Sequence, residues 1–170
     1  GFDRWGPEVL NKLRGMFSFA IWDPKERRLF AARDRFGIKP FHYSLSSQSF
    51  RFSSEAKALL PFQDSISVSE TGLVDYMMLQ LPLGETTLFE GISQLLPGHY
   101  LDLKLDTFSQ NQTQKCYWEV EYQRDFDHDE KYFLEHLEEL FEESINLHCR
   151  SDVPIGGYVS GGIDSSLVSI

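Results

Sequence analysis

The chain has 170 residues, 41% hydrophobic and 25% charged, enough for one ordinary domain or for pieces of two. That composition can bury a core and excludes an intrinsically disordered acidic tail or a coiled-coil rod. The net charge of -10 is uneven: residues 1–60 carry 11 basic against 6 acidic side chains, and residues 61–170 carry 5 against 20. The basic residues of the first third are scattered among core aromatics, and the acidic remainder repels phosphate backbones, which excludes a nucleic-acid surface. Apolar runs are too short for a membrane-spanning helix. No secretory signal opens the chain, and Cys116 and Cys149 fit no CxxC pattern, so a reducing cytoplasm is the expected home.

In chain order, Pro7 to Leu13 reads as a short helix, with Pro7 suited to its first turn. Gly15 to Asp23 alternates Phe17, Phe19 and Ile21 against Met16, Ala20 and Trp22, which predicts a strand buried between two layers. Asp23-Pro24-Lys25-Glu26 is a turn, and Arg27 to Arg33 returns as a second strand. A second hairpin is expected from FHYSL and FRFSS around the polar turn Ser46 to Ser49. In ARDRFGIKPFHY (Ala32 to Tyr43), Gly37 supplies a corner and Arg33, Asp34 and Arg35 are expected to form local ion pairs. This corner is read as support for domain packing or a dimer contact, with no direct chemistry.

Ser67 and Glu70 have capping-box spacing, ahead of an apolar stripe at Leu73, Met77 and Leu81. Glycines and Pro97 then break the chain around a short strand, HYLDL, and the polar tract Ser109 to Gln114 reads as an exposed turn or linker. A helix is expected from about Asp129 to His148, capped by Asp127 or Asp129, with Leu134, Leu137, Phe141, Ile145 and His148 along one face. Its acidic side is a solvated face. His148 reads as a packed core histidine, and Cys149 points elsewhere, so the pair is poorly placed to share a metal.

The string DVPIGGYVSGGIDSS (Asp152 to Ser166) carries the most chemical information. Ile155 to Val159 is expected as a buried strand, Ser160-Gly161-Gly162 as a tight turn, and Asp164 onward as the start of a helix. Glycines between a strand and a helix let backbone N–H groups approach an anion, and Ser160, Ser165 and Ser166 add hydroxyl donors. Asp164 is suited to hold the Mg²⁺ that accompanies a triphosphate. The kinase-style phosphate-loop spacing is absent.

SGGIDSS resembles the pyrophosphate-binding loop of ATP-pyrophosphatase enzymes. With GMFSFAIWD, ARDRFGIKPFHY, FSSEAKALL and TLFEGISQLLPGHYL in order, nearly the whole chain resembles glutamine-hydrolysing asparagine synthetases. The resemblance implies the latter part of an α+β N-terminal-nucleophile amidotransferase sandwich over residues 1–120. Residues 121–170 would begin an α/β ATP-pyrophosphatase-type synthetase domain. It implies ATP and Mg²⁺ as cofactors and aspartate, glutamine and ATP as substrates. The residues implied around ATP are Val159, Ser160, Gly161, Gly162, Asp164, Ser165 and Ser166, with Asp164 at the metal. A homodimer is a further expectation.

Departures from the family's pattern lie at the nucleophile: residue 1 is glycine, and neither cysteine is in the nucleophile's context. No catalytic residue is therefore assigned, and the 170 residues read as an internal part of a longer enzyme, inactive and only marginally stable by themselves. Related cyclases that close β-lactam or peptide rings by adenylating a carboxylate fit the same residues, as does a non-catalytic scaffold remnant.

Overall fold

The computed structural model describes residues 1–46, 49–104 and 114–169. The chain divides into two compact units, Gly1–Val120 and Glu121–Ile170. The expected linker from Ser109 to Gln114 lies outside the described residues up to position 113, as do positions 47 and 48 of the second hairpin turn.

The first unit opens with a one-turn helix α1 (Phe2–Trp5) and a 3-10 helix over Gly6–Lys12, with Pro7 in its first turn as expected. Strands β1 (Ser18–Asp23) and β2 (Arg28–Arg33) form an antiparallel hairpin. Asp23 closes its turn by accepting the N–H groups of Lys25 and Glu26 on one oxygen, Oδ1. The second hairpin is β3 (His42–Leu45) with β4 (Phe50–Ser53), and β5 (Ser93–Gln94) lies on the other side of β3. HYLDL forms most of β6 (His99–Lys104), which pairs with β2 and with the two-residue β7 (Lys115–Cys116). The two sheets therefore run β1-β2-β6-β7 and β4-β3-β5, antiparallel throughout.

Burial differs from the sequence expectation in a way that strand order explains. Among the described residues β1 pairs only with β2; it is half-buried, and Trp22 is exposed. Within this hairpin the fully buried residues, Phe30, Ala31 and Ala32, fall on β2, which is flanked on both sides. Its alternation divides two clusters. Phe30 and Ala32 meet Val9 and Leu10 of the N-terminal segment, whereas Ala31 meets Phe41, Tyr43, Leu95, Leu101 and Leu103. The larger sheet thus packs on short helices by one face and on the second hairpin by the other.

Helix α2 (Glu70–Leu79) is capped by Ser69, whose hydroxyl accepts the N–H of Gly72. The expected cap, Ser67, is held extended instead, because its carbonyl accepts the Glu90 N–H and Val68 bridges Phe89. The expected stripe is also not a core. Leu73 and Met77 are exposed, and Leu81 lies past the helix end. The helix meets the unit through Gly72, where a β-carbon would collide with the Thr87 carbonyl.

The second unit holds α3 (Glu130–His148), an extended segment, and α4 (Ile163–Val168). Asp129 caps α3 by accepting the Tyr132 N–H. His148 is exposed and bonds the Ser144 carbonyl through Nδ1, so it is no core histidine. Ile155 to Val159 is exposed coil, contrary to the expected buried strand. A strand exists by its ladder, and no segment described in this unit pairs with it. Among the described residues, no helix is long and apolar enough to cross a membrane.

Candidate functional site

Ser160 to Ser166 form a compact turn into α4. Gly161 sits at φ +82 with open space where a β-carbon would point, so the main chain is reachable from outside. Gly162 caps α4 and its carbonyl accepts both the Ser165 hydroxyl at 3.1 Å and the Ser166 hydroxyl at 2.8 Å. Ser160 and Ser165 hydroxyls lie 3.0 Å apart, and the Ser160 N–H donates to Ser165 Oγ. The three serines are thus gathered around one glycine, as rotors that can exchange these local partners for the oxygens of an anion. Val159 and Asp164 are exposed beside them, Asp164 in the first turn of α4.

Among the described residues no group of three or more His, Cys, Asp or Glu side chains could hold a metal ion. A lone carboxylate suits Mg²⁺ only in the manner in which that ion is commonly held, by one or two carboxylates together with substrate phosphates. Asp164 fits that arrangement and no all-protein metal cage.

The corner at Ala32 to Tyr43 has a different character. Asp34 is 2% exposed, and its carboxylate accepts four backbone N–H groups. Oδ1 takes those of Phe36 and Ile38, and Oδ2 those of Phe17 and Lys39, at 3.0–3.3 Å. Burial pushes its pKa up, but the four donors together outweigh burial and hold it below the ordinary carboxylate value. Arg33 donates to the carbonyls of Gly37, Lys39 and Leu95, and Arg35 to those of Leu13 and Leu10. The expected ion pairs are therefore replaced by bonds to main chain, because the loop leaves more buried peptide groups than its own backbone can pair. Gly37, at φ +64, lets the loop close: a β-carbon there would stand 2.8 Å from Pro97 and 3.0 Å from Arg33.

Two further residues complete this region without any signal in the sequence. Tyr117 donates its hydroxyl to the Arg33 carbonyl at 2.8 Å, and burial pushes its pKa up to about 12. Gln114 accepts the Leu96 N–H and donates towards Glu85, Gln94 and Tyr43. Neither lies in a motif, so only the folded chain identifies them.

Antiparallel sheets braced by this corner make up the first unit, and the serine–glycine turn lies in the second. Residues 1–118 match the family model described as a glutamine amidotransferase domain, and the chain belongs to that family. More particularly, residues 136–170, which include the serine–glycine turn, match the model described as asparagine synthase. Asparagine synthetase [glutamine-hydrolyzing] 1 of Bacillus subtilis is 35% identical over 161 residues, 95% of this chain and 25% of that protein. Asparagine synthetase [glutamine-hydrolyzing] 3 of the same organism is 36% identical over 169 residues, 97% of this chain and 26% of that protein. Amidase chyE of Penicillium rubens is 32% identical over 171 residues, 99% of this chain and 25% of that protein. The chain spans about a quarter of the length of these curated relatives.

Proposed function

We propose that this chain is part of a glutamine-hydrolysing asparagine synthetase, which converts aspartate, glutamine and ATP into asparagine, glutamate, AMP and pyrophosphate. The observation that supports it most is the order of the two matches, amidotransferase then asparagine synthase, within one 170-residue chain. In this reading residues 1–120 are the latter part of an N-terminal-nucleophile sandwich, and residues 121–170 open an α/β nucleotide domain. The protein works as a cytoplasmic enzyme, as a homodimer.

Glutamine hydrolysis supplies ammonia in the first domain. The second domain activates the aspartate side chain by adenylation, because a carboxylate oxygen is a poor leaving group and AMP a good one. Ser160, Gly161, Gly162, Ser165 and Ser166 would cradle the phosphates, with Val159 beside the nucleotide. Fixed donors there stabilise the departing pyrophosphate more than the ground-state triphosphate. Asp164 would hold Mg²⁺, which neutralises phosphate charge when bound. A separate reading, an amide-forming enzyme acting on another carboxylate, draws support from the fungal amidase, similar to this chain at nearly the same identity.

The test is an assay of the full-length protein with aspartate, amide-labelled glutamine and Mg·ATP. Labelled asparagine with one AMP per turnover is expected. AMP formation only with a different carboxylate would favour the second reading. No AMP with any carboxylate tested, from folded protein, would refute both.

A further inference from the structure

Among the described residues, 114–118 run along the edge of the larger sheet with very little ladder. β7 pairs with β6, among the described residues, at His99–Cys116 and Tyr100–Lys115, and Lys115 and Cys116 are exposed. The Tyr117 ring packs against the Val9, Leu10, Phe30 and Ala32 cluster, and hydrogen bonds hold the segment at both ends. At one end the Gln114 carboxamide accepts the Leu96 N–H at 2.7 Å and donates to Glu85 and the Gln94 carbonyl, each at 2.9 Å, and towards Tyr43 at 3.1 Å. One side chain thereby ties β7 to the smaller sheet. At the other end the N–H groups of Tyr117 and Trp118 share the Gly98 carbonyl, Tyr117 bonds the Arg33 carbonyl, and the Trp118 ring meets Phe36 edge-on at 5.1 Å. Gly98 permits this approach, since a β-carbon there would collide with the Trp118 carbonyl.

A two-residue ladder is far below the strand length that holds itself in place. We propose that residues 114–118 are a strap, clamped at both ends, that opens as one unit without unfolding of the sheet beneath it. The first unit ends at Val120, so the closed strap fixes where the chain leaves that unit. Local opening of this kind has its own free energy, below that of global unfolding.

Residue-resolved amide exchange on the full-length protein tests this, with each clamp read from the opposite end. Gln114→Ala removes the first clamp, and the reporters are the Tyr117 and Trp118 amides, which Gln114 does not touch. Tyr117→Phe removes a hydroxyl at the second clamp, and the reporter is the Leu96 amide. Expected are accelerations of about tenfold or more in the first case and about threefold or more in the second, tenfold being roughly 1.4 kcal/mol. Amides of β1 and β2 should stay within twofold of the parent. Acceleration confined to the altered end overturns the strap as a unit. Equal acceleration in β1 and β2 overturns its independence from the sheet.

Discussion

Replacing Asp34 by Asn changes no shape and one charge, and the structure places a definite cost on it. The carboxylate uses both oxygens, each accepting two backbone N–H groups, in a site 2% exposed. An amide keeps one acceptor oxygen and turns its NH₂ towards the other two donors. Two charge-assisted hydrogen bonds are lost, each worth ~1.5–3 kcal/mol, and two N–H groups are left buried without an acceptor. A loss of about 3 kcal/mol follows at the low end of that range, a fall in Tm of roughly 10 °C for a unit of this size. Asp23→Asn is the matched control. Asp23 also accepts two backbone N–H groups, but both on Oδ1 in an exposed turn, so Asn can keep both and the cost is about 0.5 kcal/mol or less. Urea unfolding should show a lower midpoint for Asp34→Asn at an unchanged slope. The pH dependence adds a second signature. Since the folded pKa of Asp34 lies below its unfolded value, the unfolded chain binds the proton first on acidification. The carboxylate's contribution is complete above the ordinary carboxylate range and is lost as pH falls through it towards the depressed folded value. Asp34→Asn should therefore flatten the acid side of the stability curve. Equal midpoints for the Asp34 and Asp23 variants, or an unaltered acid limb, would refute the reasoning.

Three other outcomes are expected. Gly37→Ala and Gly84→Ala impose the same left-handed strain, at φ +64 and +60, but only Gly37 lacks room for a β-carbon. Calorimetry should give about 1 kcal/mol for Gly84→Ala and at least ~2 kcal/mol for Gly37→Ala. Arg28 binds Asp102 through Nε at 2.6 Å and Nη2 at 2.7 Å across the β2–β6 pair, so Arg28→Lys should cost about 1 kcal/mol in chemical unfolding by losing the two-point geometry. On the function proposed above, Asp164→Asn in the full-length protein should weaken ATP-dependent synthesis and shift its Mg²⁺ dependence while sparing glutamine hydrolysis. Unchanged pyrophosphate release across a Mg²⁺ titration would remove Asp164 from the nucleotide site.

Much of the local structure was legible because its causes are local. Alternating apolar residues around turn chemistry marked the hairpins at Ser18–Arg33 and His42–Ser53, and an acidic cap followed by a three-and-four apolar spacing marked α3. The gathering of Ser160, Ser165 and Ser166 about Gly162 follows from a helix start, which short-range spacing fixes. Burial and pairing depend on what lies across the contact, and there the sequence pattern misled. The strand expected to be buried between two layers does reach both core clusters, Ala20 on one face and Phe19 on the other, but β1 lies at an edge among the described residues and stays half-buried. Ile155 to Val159 has a strand's composition and no partner to pair with among the described residues of its unit. Ser67 has a cap's spacing, yet a bridge between Val68 and Phe89, twenty-one positions apart, moves the cap to Ser69.

The corner at Asp34 divides the two kinds of information most sharply. Its sequence alone determined a turn at Gly37 and a cluster of charges. It could not say that Asp34 would gather N–H groups from Phe17 to Lys39, or that Arg33 would reach the Leu95 carbonyl sixty-two residues away. Nor did any motif mark Gln114 and Tyr117, which hold their strap through partners at Tyr43, Glu85, Leu96 and Arg33. The Asp23 turn and the Asp129 cap of α3 are set by neighbours within about four residues, so a linear pattern records them. Buried hydrogen bonds are set by whichever peptide groups the packed sheets leave unpaired, and only the tertiary structure decides which those are.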